Sequence, residues 1–342
     1  MNILFISPLK LWGGAATANI AICKILVNLG HTVIYNNEYS EQESYDGISI
    51  DKTNFHAEHK RWASDIIELV KEKDIEMIIW NISMTFYYYS TIKYLKKKGI
   101  FNISIIHSLS LNRNIKGKII DYINSFTIAN LNGIVYVSDF TFRSWNKFYA
   151  IRHSKAIQHT IHNSIEPIGE KTSNTFLSNK VRLGFVGRFS VEKQPERFCQ
   201  LSLDNQYELH AFGDGPLLLS CKQNYPDVIY HGLEHDQNQI YSRFDILVLT
   251  SKFENCPMVI LEAISRGIPC VAPRVGGIPE ILVDGEFGFL YDNFEIKDIQ
   301  DKVYRVSCDY SRYSQNATKA SEKYFSSSIS YKWFNLIKEL SE

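Results

Sequence analysis

Two glutamates eight positions apart, Glu254 and Glu262, stand in the segment SKFENCPMVILEAISRGIPCVAPRVGGIPEIL, residues 251–282. Pro257 sits where a helix would open and Gly267 where it would close, the usual asymmetry of helix boundaries. Met258, Val259, Ile260, Leu261, Ala263 and Ile264 mark that helix as buried, with Glu262 its only charge. A carboxylate among apolar residues has to find a partner or a ligand. Taken alone, the two glutamates read equally as an acid/base pair or as local caps. The chain then runs through a short buried strand, Ile268–Ala272, into Val275-Gly276-Gly277-Ile278-Pro279-Glu280, a glycine turn that starts a second helix.

Other chemistry-bearing residues fall at the ends of expected strands. Gly187-Arg188-Phe189-Ser190-Val191-Glu192-Lys193 follows strand Val181–Val186, and Gly213-Asp214-Gly215-Pro216 follows strand Tyr207–Phe212. His107 closes the strand Asn102–His107. Gly13-Gly14 lies between strand Asn2–Ser7 and helix Ala15–Leu29, a turn at which backbone N–H groups can approach an anion or a sugar. It is not G-x-G-x-x-G, which disfavours a nicotinamide cofactor.

The elements that must carry these residues alternate. Helices Ala57–Lys73, Phe86–Lys98 and Ile115–Leu131 interleave with strands Ile75–Trp80, Asn102–His107 and Gly133–Val137. Glu38–Phe55 is polar and reads as an irregular, mobile stretch. The second half repeats the plan with strands Val181–Val186, Tyr207–Phe212, Val228–His231 and Asp245–Leu249, and ends on helices near Glu295–Val306 and Ser330–Leu340. Such alternation predicts parallel sheets covered by helices, with ligands gathered at the carboxyl ends of the strands. The expected organisation is an N-terminal Rossmann-like domain over 1–165, a Pro/Gly/Ser-containing linker over 166–180 and a second Rossmann-like domain over 181–325. The C-terminal helix, 326–342, is expected to pack back on the first domain.

Composition narrows the class. The 342 residues carry no net charge, so there is no broad positive field for nucleic acid. The halves differ: residues 1–165 hold 18 Lys+Arg against 13 Asp+Glu, and the remainder 19 against 24. Six scattered cysteines without a C-x-x-C pair argue for a reducing compartment and against a zinc site. Met1–Ile6 reads as a strand rather than a signal peptide, and no apolar run reaches spanning length. The expectation is a cytoplasmic protein, peripheral on the inner face of the membrane. Phe86-Tyr87-Tyr88-Tyr89 with Lys93, Lys96, Lys97, Lys98, Arg113, Lys116 and Lys118 reads first as an ordinary solvated face and, as the alternative, as a surface for anionic lipid headgroups.

The ordered set of E-x7-E (Glu254, Glu262), G-R-x4-K (Gly187, Arg188, Lys193), G-D-G-P (Gly213–Pro216) and G-G-x-P-E (Gly276–Glu280) resembles the retaining glycosyltransferases of the GT4 type. Gly13-Gly14, His107, Val137-Ser138 and Ile161-His162-Asn163-Ser164 are weaker echoes in the same order. The resemblance implies the GT-B architecture, two facing Rossmann-like domains, the first binding acceptor and the second a nucleotide-diphosphate sugar, with a UDP-sugar the first choice. It implies that Arg188 and Lys193 hold the diphosphate, bidentately and as a point charge respectively. Gly187 and Gly213 would belong to the same donor site. It further implies that Glu262 holds the ribose hydroxyls and that Glu254 lies near the donor sugar. Main-chain groups of Asn255, Cys256 and Met258 would touch sugar or phosphate, His107 would lie near the transferred sugar, and Gly14 beneath the donor phosphate or acceptor. Asn255, where glycine is frequent, and Pro257, which has no N–H, depart from the common pattern.

Charge stabilisation by Arg188 and Lys193 would take the place of a metal, and the chain has no D-x-D pair. No cofactor beyond the donor is implied. The expected reaction is retaining transfer by front-face departure and attack, onto a glycan acceptor linked to polyprenol or another lipid, in bacterial surface polysaccharide synthesis. Rival readings are a sugar-nucleotide epimerase of the same architecture and a non-catalytic two-lobed sugar-binding protein. Epimerised donor in the absence of acceptor would mark the first, and absence of turnover the second.

Overall fold

A computed structural model describes residues 1–7, 14–36, 44–52, 62–81, 85–108, 115–167 and 180–342. The chain divides into two compact units: Met1–Ser164 with Ser326–Glu342, and Ile165–Phe325. Each is a doubly wound α/β unit.

The first unit holds β1 (Asn2–Ile6), β2 (Thr32–Asn36), β3 (Ser44–Tyr45), β4 (Ile48–Asp51), β5 (Met77–Trp80), β6 (Phe101–Ile106), β7 (Gly133–Tyr136) and β8 (Ile157–Thr160). They lie in the order β3-β4-β2-β1-β5-β6-β7-β8. All neighbouring pairs are parallel except β3 with β4. Continuous apolar burial in β1, β5 and β7 is what a sheet covered on both faces requires. The helix Gly14–Asn28 follows β1 and packs against the final helix, Ser326–Ser341. That last helix fills its inner face with Ile329, Trp333, Leu336 and Ile337.

The second unit holds β9 (Val181–Val186), β10 (Tyr207–Phe212), β11 (Ile229–Gly232), β12 (Ile246–Val248), β13 (Cys270–Pro273) and β14 (Gly288–Tyr291), all parallel, in the order β11-β10-β9-β12-β13-β14. In both units the strand order reverses once near the centre, between β1 and β5 and between β9 and β12. Loops diverge at such a point and leave a crevice at the strand carboxyl ends.

Several expectations change. The stretch Glu38–Phe55 is not wholly irregular: β4 pairs in parallel with β2 and buries Ile48. One buried apolar side chain in four residues leaves no period to read. Phe86–Lys98 is not one helix but a 3-10 turn, Thr85–Tyr88, followed by the helix Tyr89–Lys97. The polar strand β8 and the helix Tyr310–Ser321, which turns Ser314, Ala317 and Ser321 inward with its tyrosines, carry little apolar signal. Gly13, Arg113 and most of the expected linker, 168–179, lie outside the described residues.

Candidate active site

The turn after β9 is set by burial of Phe189 beside Phe185, their ring centroids 5.4 Å apart. With Phe189 anchored inside, its neighbour Arg188 is exposed and makes no hydrogen bond or ion pair with described residues. The Gly213–Pro216 turn lies directly on this one. Phe189 N–H donates to the Asp214 carbonyl at 2.9 Å, and Leu217 N–H to the Phe189 carbonyl at 3.0 Å. Gly213 has φ +125°, and a Cβ there would fall 2.0 Å from the Gly187 carbonyl oxygen. Only glycine fits so close a backbone crossing. Two glycine motifs that look separate in sequence thus form one piece of scaffold beneath Arg188.

Glu254 lies in the loop between β12 and the helix Met258–Ile264. Its carboxylate accepts from Ser251 Oγ at 2.7 Å and from Lys193 Nζ at 2.5 Å. The Lys193–Glu254 pair therefore spans the reversal point, joining the loop after β9 to the loop after β12. Backbone contacts fasten the same loops together. Lys252 N–H donates to the Glu192 carbonyl at 2.7 Å, and the Thr250 hydroxyl is 2.9 Å from the carbonyl oxygens of Lys193 and Gln194. From the other side, Gly277 N–H donates to the Glu254 carbonyl at 3.0 Å. Gly276 has φ +60°, and a Cβ there would stand 1.8 Å from that same carbonyl oxygen. The G-G-x-P-E segment is thus a clamp on the backbone of Glu254. Sequence reading had grouped these motifs by order; their mutual contact had no signal in spacing.

Glu262 is a different kind of carboxylate. It is buried, and accepts from Tyr241 Oη at 2.6 Å and from Gln237 Nε2 at 3.1 Å. Arg266 donates to the Glu262 main-chain carbonyl at 3.0 Å and stacks its guanidinium over the Tyr241 ring at 4.8 Å. Burial raises the Glu262 pKa above the ordinary carboxylate range, against the Tyr241 hydrogen bond and the Arg266 charge, which lower it. Both oxygens already have protein donors, although a carboxylate has about four acceptor positions. Tyr241, Gln237 and Arg266 are partners of Glu262 that sequence reading missed, since nothing in their spacing ties them to it.

Asn255 is half-buried, while Cys256 and Met258 are buried. Pro257 takes the N-cap position of the helix Met258–Ile264 instead of its first turn.

In the first unit, His107 follows β6 directly and is half-buried; desolvation of its ring pushes the pKa down to about 4. The Ser108 carbonyl beside it accepts from Trp145 Nε1 at 2.8 Å. Gly14 is the exposed first residue of the helix Gly14–Asn28. At this unit's reversal point Asn81 Nδ2 donates to Asn19 Oδ1 at 2.6 Å and Asn19 Nδ2 to Ser7 Oγ at 3.0 Å, a buried amide–hydroxyl chain that sequence reading also missed. Among the described residues no group of three His, Cys, Asp or Glu side chains could hold a metal ion, and no helix is long and apolar enough to cross a membrane.

Residues 180–309 match the family model for glycosyl transferases group 1. The O-antigen biosynthesis glycosyltransferase WbnH of Escherichia coli is 34% identical over 168 residues, 48% of this chain and 48% of the relative. A UDP-Gal:alpha-D-GlcNAc-diphosphoundecaprenol alpha-1,3-galactosyltransferase, also of Escherichia coli, is 34% identical over 139 residues, 36% of each chain. The chain thus spans at most about half the length of these relatives. Its fold is shared with Anabaena Alr3699/HepE in complex with UDP-glucose, at a TM-score of 0.79, 17% identity and coverage of 100% and 99% of the two chains.

Proposed function

We propose that this chain is a retaining, metal-independent glycosyltransferase that moves a sugar from a UDP-sugar to a glycan acceptor carried on a lipid, in O-antigen or related surface polysaccharide synthesis. The observation that carries the reading is the Lys193–Glu254 pair spanning the reversal point of the second sheet, with Arg188 exposed on the same turn as Lys193. The relative that uses UDP-Gal and a diphosphoundecaprenol acceptor supports the choice of nucleotide and of acceptor class.

The chemistry asks for cations where negative charge grows. The bond between the anomeric carbon and the diphosphate breaks with its electron pair passing to the leaving phosphate oxygen. Arg188 offers a bidentate fork to the diphosphate, and Lys193 has three N–H donors, enough for Glu254 and a phosphate oxygen together. Both stabilise the departing charge more than the bound donor, which is what accelerates the step. The acceptor oxygen attacks from the same face, and its proton goes to the departing phosphate. Glu254 lies near the donor sugar, the Gly187 and Gly213 turns border the diphosphate, and backbone groups of Asn255, Cys256 and Met258 face sugar or phosphate. Glu262 takes the ribose hydroxyls. In the first unit, which binds acceptor, Gly14 and His107 serve the phosphate or acceptor and the transferred sugar respectively. The protein works at the cytoplasmic face of the membrane.

A thermal-shift panel of UDP-, GDP- and ADP-sugars, followed by product analysis with the donor that binds, tests this. The expected outcome is stabilisation by a UDP-sugar and a product that keeps the donor's anomeric configuration. An inverted product would overturn the mechanism, and no stabilisation by any nucleotide sugar would overturn the function.

A further inference from the structure

The helix Ile115–Ala129 is turned inside out for a helix facing water. Its buried positions include Asp121, Asn124, Ser125 and Thr127, whereas Ile119 is 54% exposed, Tyr122 54%, Ile123 42% and Phe126 46%. These four recur at i, i+3, i+4 and i+7, so they form one stripe along one face. The Tyr122 and Phe126 rings meet edge-on with centroids 5.0 Å apart, making the stripe continuous at its centre. Single exposed apolar residues are ordinary, but a contiguous apolar face on a helix that buries its polar groups marks an interaction surface.

Charge around the stripe selects the partner. The turn Thr85–Tyr88 packs against both this helix and the helix Tyr89–Lys97. Across the two helices Lys93, Lys97 and Lys118 are exposed, and the single acidic residue, Asp121, is buried. Exposed Tyr87 lies in that turn and exposed Tyr89 directly follows it. An apolar stripe bordered by lysines and aromatics, with no exposed carboxylate on either helix, has the composition of an interfacial helix on anionic lipid. A second copy of the chain fits less well, because like-charged lysines would meet across the interface.

We infer that the Ile119–Tyr122–Ile123–Phe126 face seats in the headgroup boundary of an anionic bilayer, with the neighbouring lysines among the lipid phosphates. The inference deepens the lipid-linked acceptor reading and rests on it. Of the Lys96–Lys98 run, Lys96 donates its Nζ to the Asn130 carbonyl at 2.9 Å, at the end of this helix.

Flotation of the whole chain with vesicles of phosphatidylethanolamine and phosphatidylglycerol, against phosphatidylcholine alone, tests the inference. The chain is expected to bind the anionic vesicles, and Ile123→Glu/Phe126→Glu to weaken that binding by about tenfold or more. Lys93→Glu/Lys97→Glu should remove mainly the salt-sensitive part. A far-UV circular dichroism spectrum and a urea transition like the wild type's show the stripe variant folded. Titration with UDP reports separately on the second unit, and failure of the wild type to bind any nucleotide sugar would sink the transferase reading without touching the vesicle result. Wild-type protein that ignores anionic vesicles, or a stripe variant that binds them equally well, overturns the inference. So does a wild-type dimer that the stripe variant splits, since a second copy would then cover the face.

Discussion

The two sheets reverse their strand order at equivalent points and fill those points with opposite chemistry. Between β1 and β5 the first unit places Ser7, Asn19 and Asn81, neutral groups that are buried and bonded in a chain. Between β9 and β12 the second unit places Arg188, Lys193 and Glu254, charged groups that keep access to solvent. The neutral chain ties strand ends together. The charged set leaves one exposed guanidinium that makes no hydrogen bond with described residues, its charge felt by the Glu192 carboxylate, and one ammonium bound to a carboxylate that a ligand can share. Equal topology thus does not mean equal function; the site lies in side chains grafted on the fold.

The largest effect should come from removing charge at the second point. Arg188→Ala and Lys193→Ala are each expected to lower transfer kcat/KM by about two orders of magnitude or more. Steady-state kinetics with the identified donor checks this, and near-normal rates would refute the assignment.

Next is the clamp. Gly276→Ala must move the loop, because its Cβ would overlap the Glu254 carbonyl oxygen. A loss of about 1–3 kcal/mol in stability, from the strained φ and the displaced backbone, is expected in urea unfolding, together with reduced transfer. An unchanged unfolding midpoint and rate would show that Glu254 needs no such hold.

Tyr241→Phe removes the 2.6 Å donor to Glu262 and should act on binding more than on chemistry. A donor KM raised by about tenfold, in line with about 1.5 kcal/mol for a hydrogen bond to a charged group, with kcat little changed, is the expected split. A fall in kcat alone would place Tyr241 elsewhere in the reaction.

The smallest effects are the pH slopes, which should have opposite signs in the two units. Burial lowers the His107 pKa from its ordinary 6.5 to about 4, so its contribution to stability is present above 6.5 and lost as pH falls toward 4. Burial raises the Glu262 pKa, so its contribution is present below the ordinary carboxylate range and lost as pH rises through the raised value. Urea unfolding across this range should flatten on the acid side in His107→Gln and show a reduced decline with rising pH in Glu262→Gln. Matching slopes in both variants would contradict the contrast.

Much of this contrast was legible in the residues. Alternating apolar runs predicted both parallel sheets, and Val181–Val186 and Tyr207–Phe212 coincide with the observed strands. Glycine, arginine and glutamate motifs marked the charged point because strand-end loops carry their chemistry in unusual residue types. What stayed hidden were contacts between distant segments. Nothing in sequence brings Gly276 onto the Glu254 carbonyl, Tyr241 onto Glu262 or Asn81 onto Asn19, because each depends on tertiary packing. The helix Ile115–Ala129 was legible as a helix, but not as one turned outward, since burial decides which of its two faces meets solvent.

The most direct test is calorimetric titration of UDP and of uridine into the wild type, Arg188→Ala and Asn81→Ala. UDP should bind the wild type more tightly than uridine does, through its diphosphate. Arg188→Ala should weaken UDP by about tenfold or more while leaving uridine unchanged, since charge-assisted contacts to phosphate are lost. Asn81→Ala, at the neutral point, should leave UDP affinity as it was. Equal affinity for UDP in the wild type and in Arg188→Ala would contradict the assignment of the second reversal point as the diphosphate site.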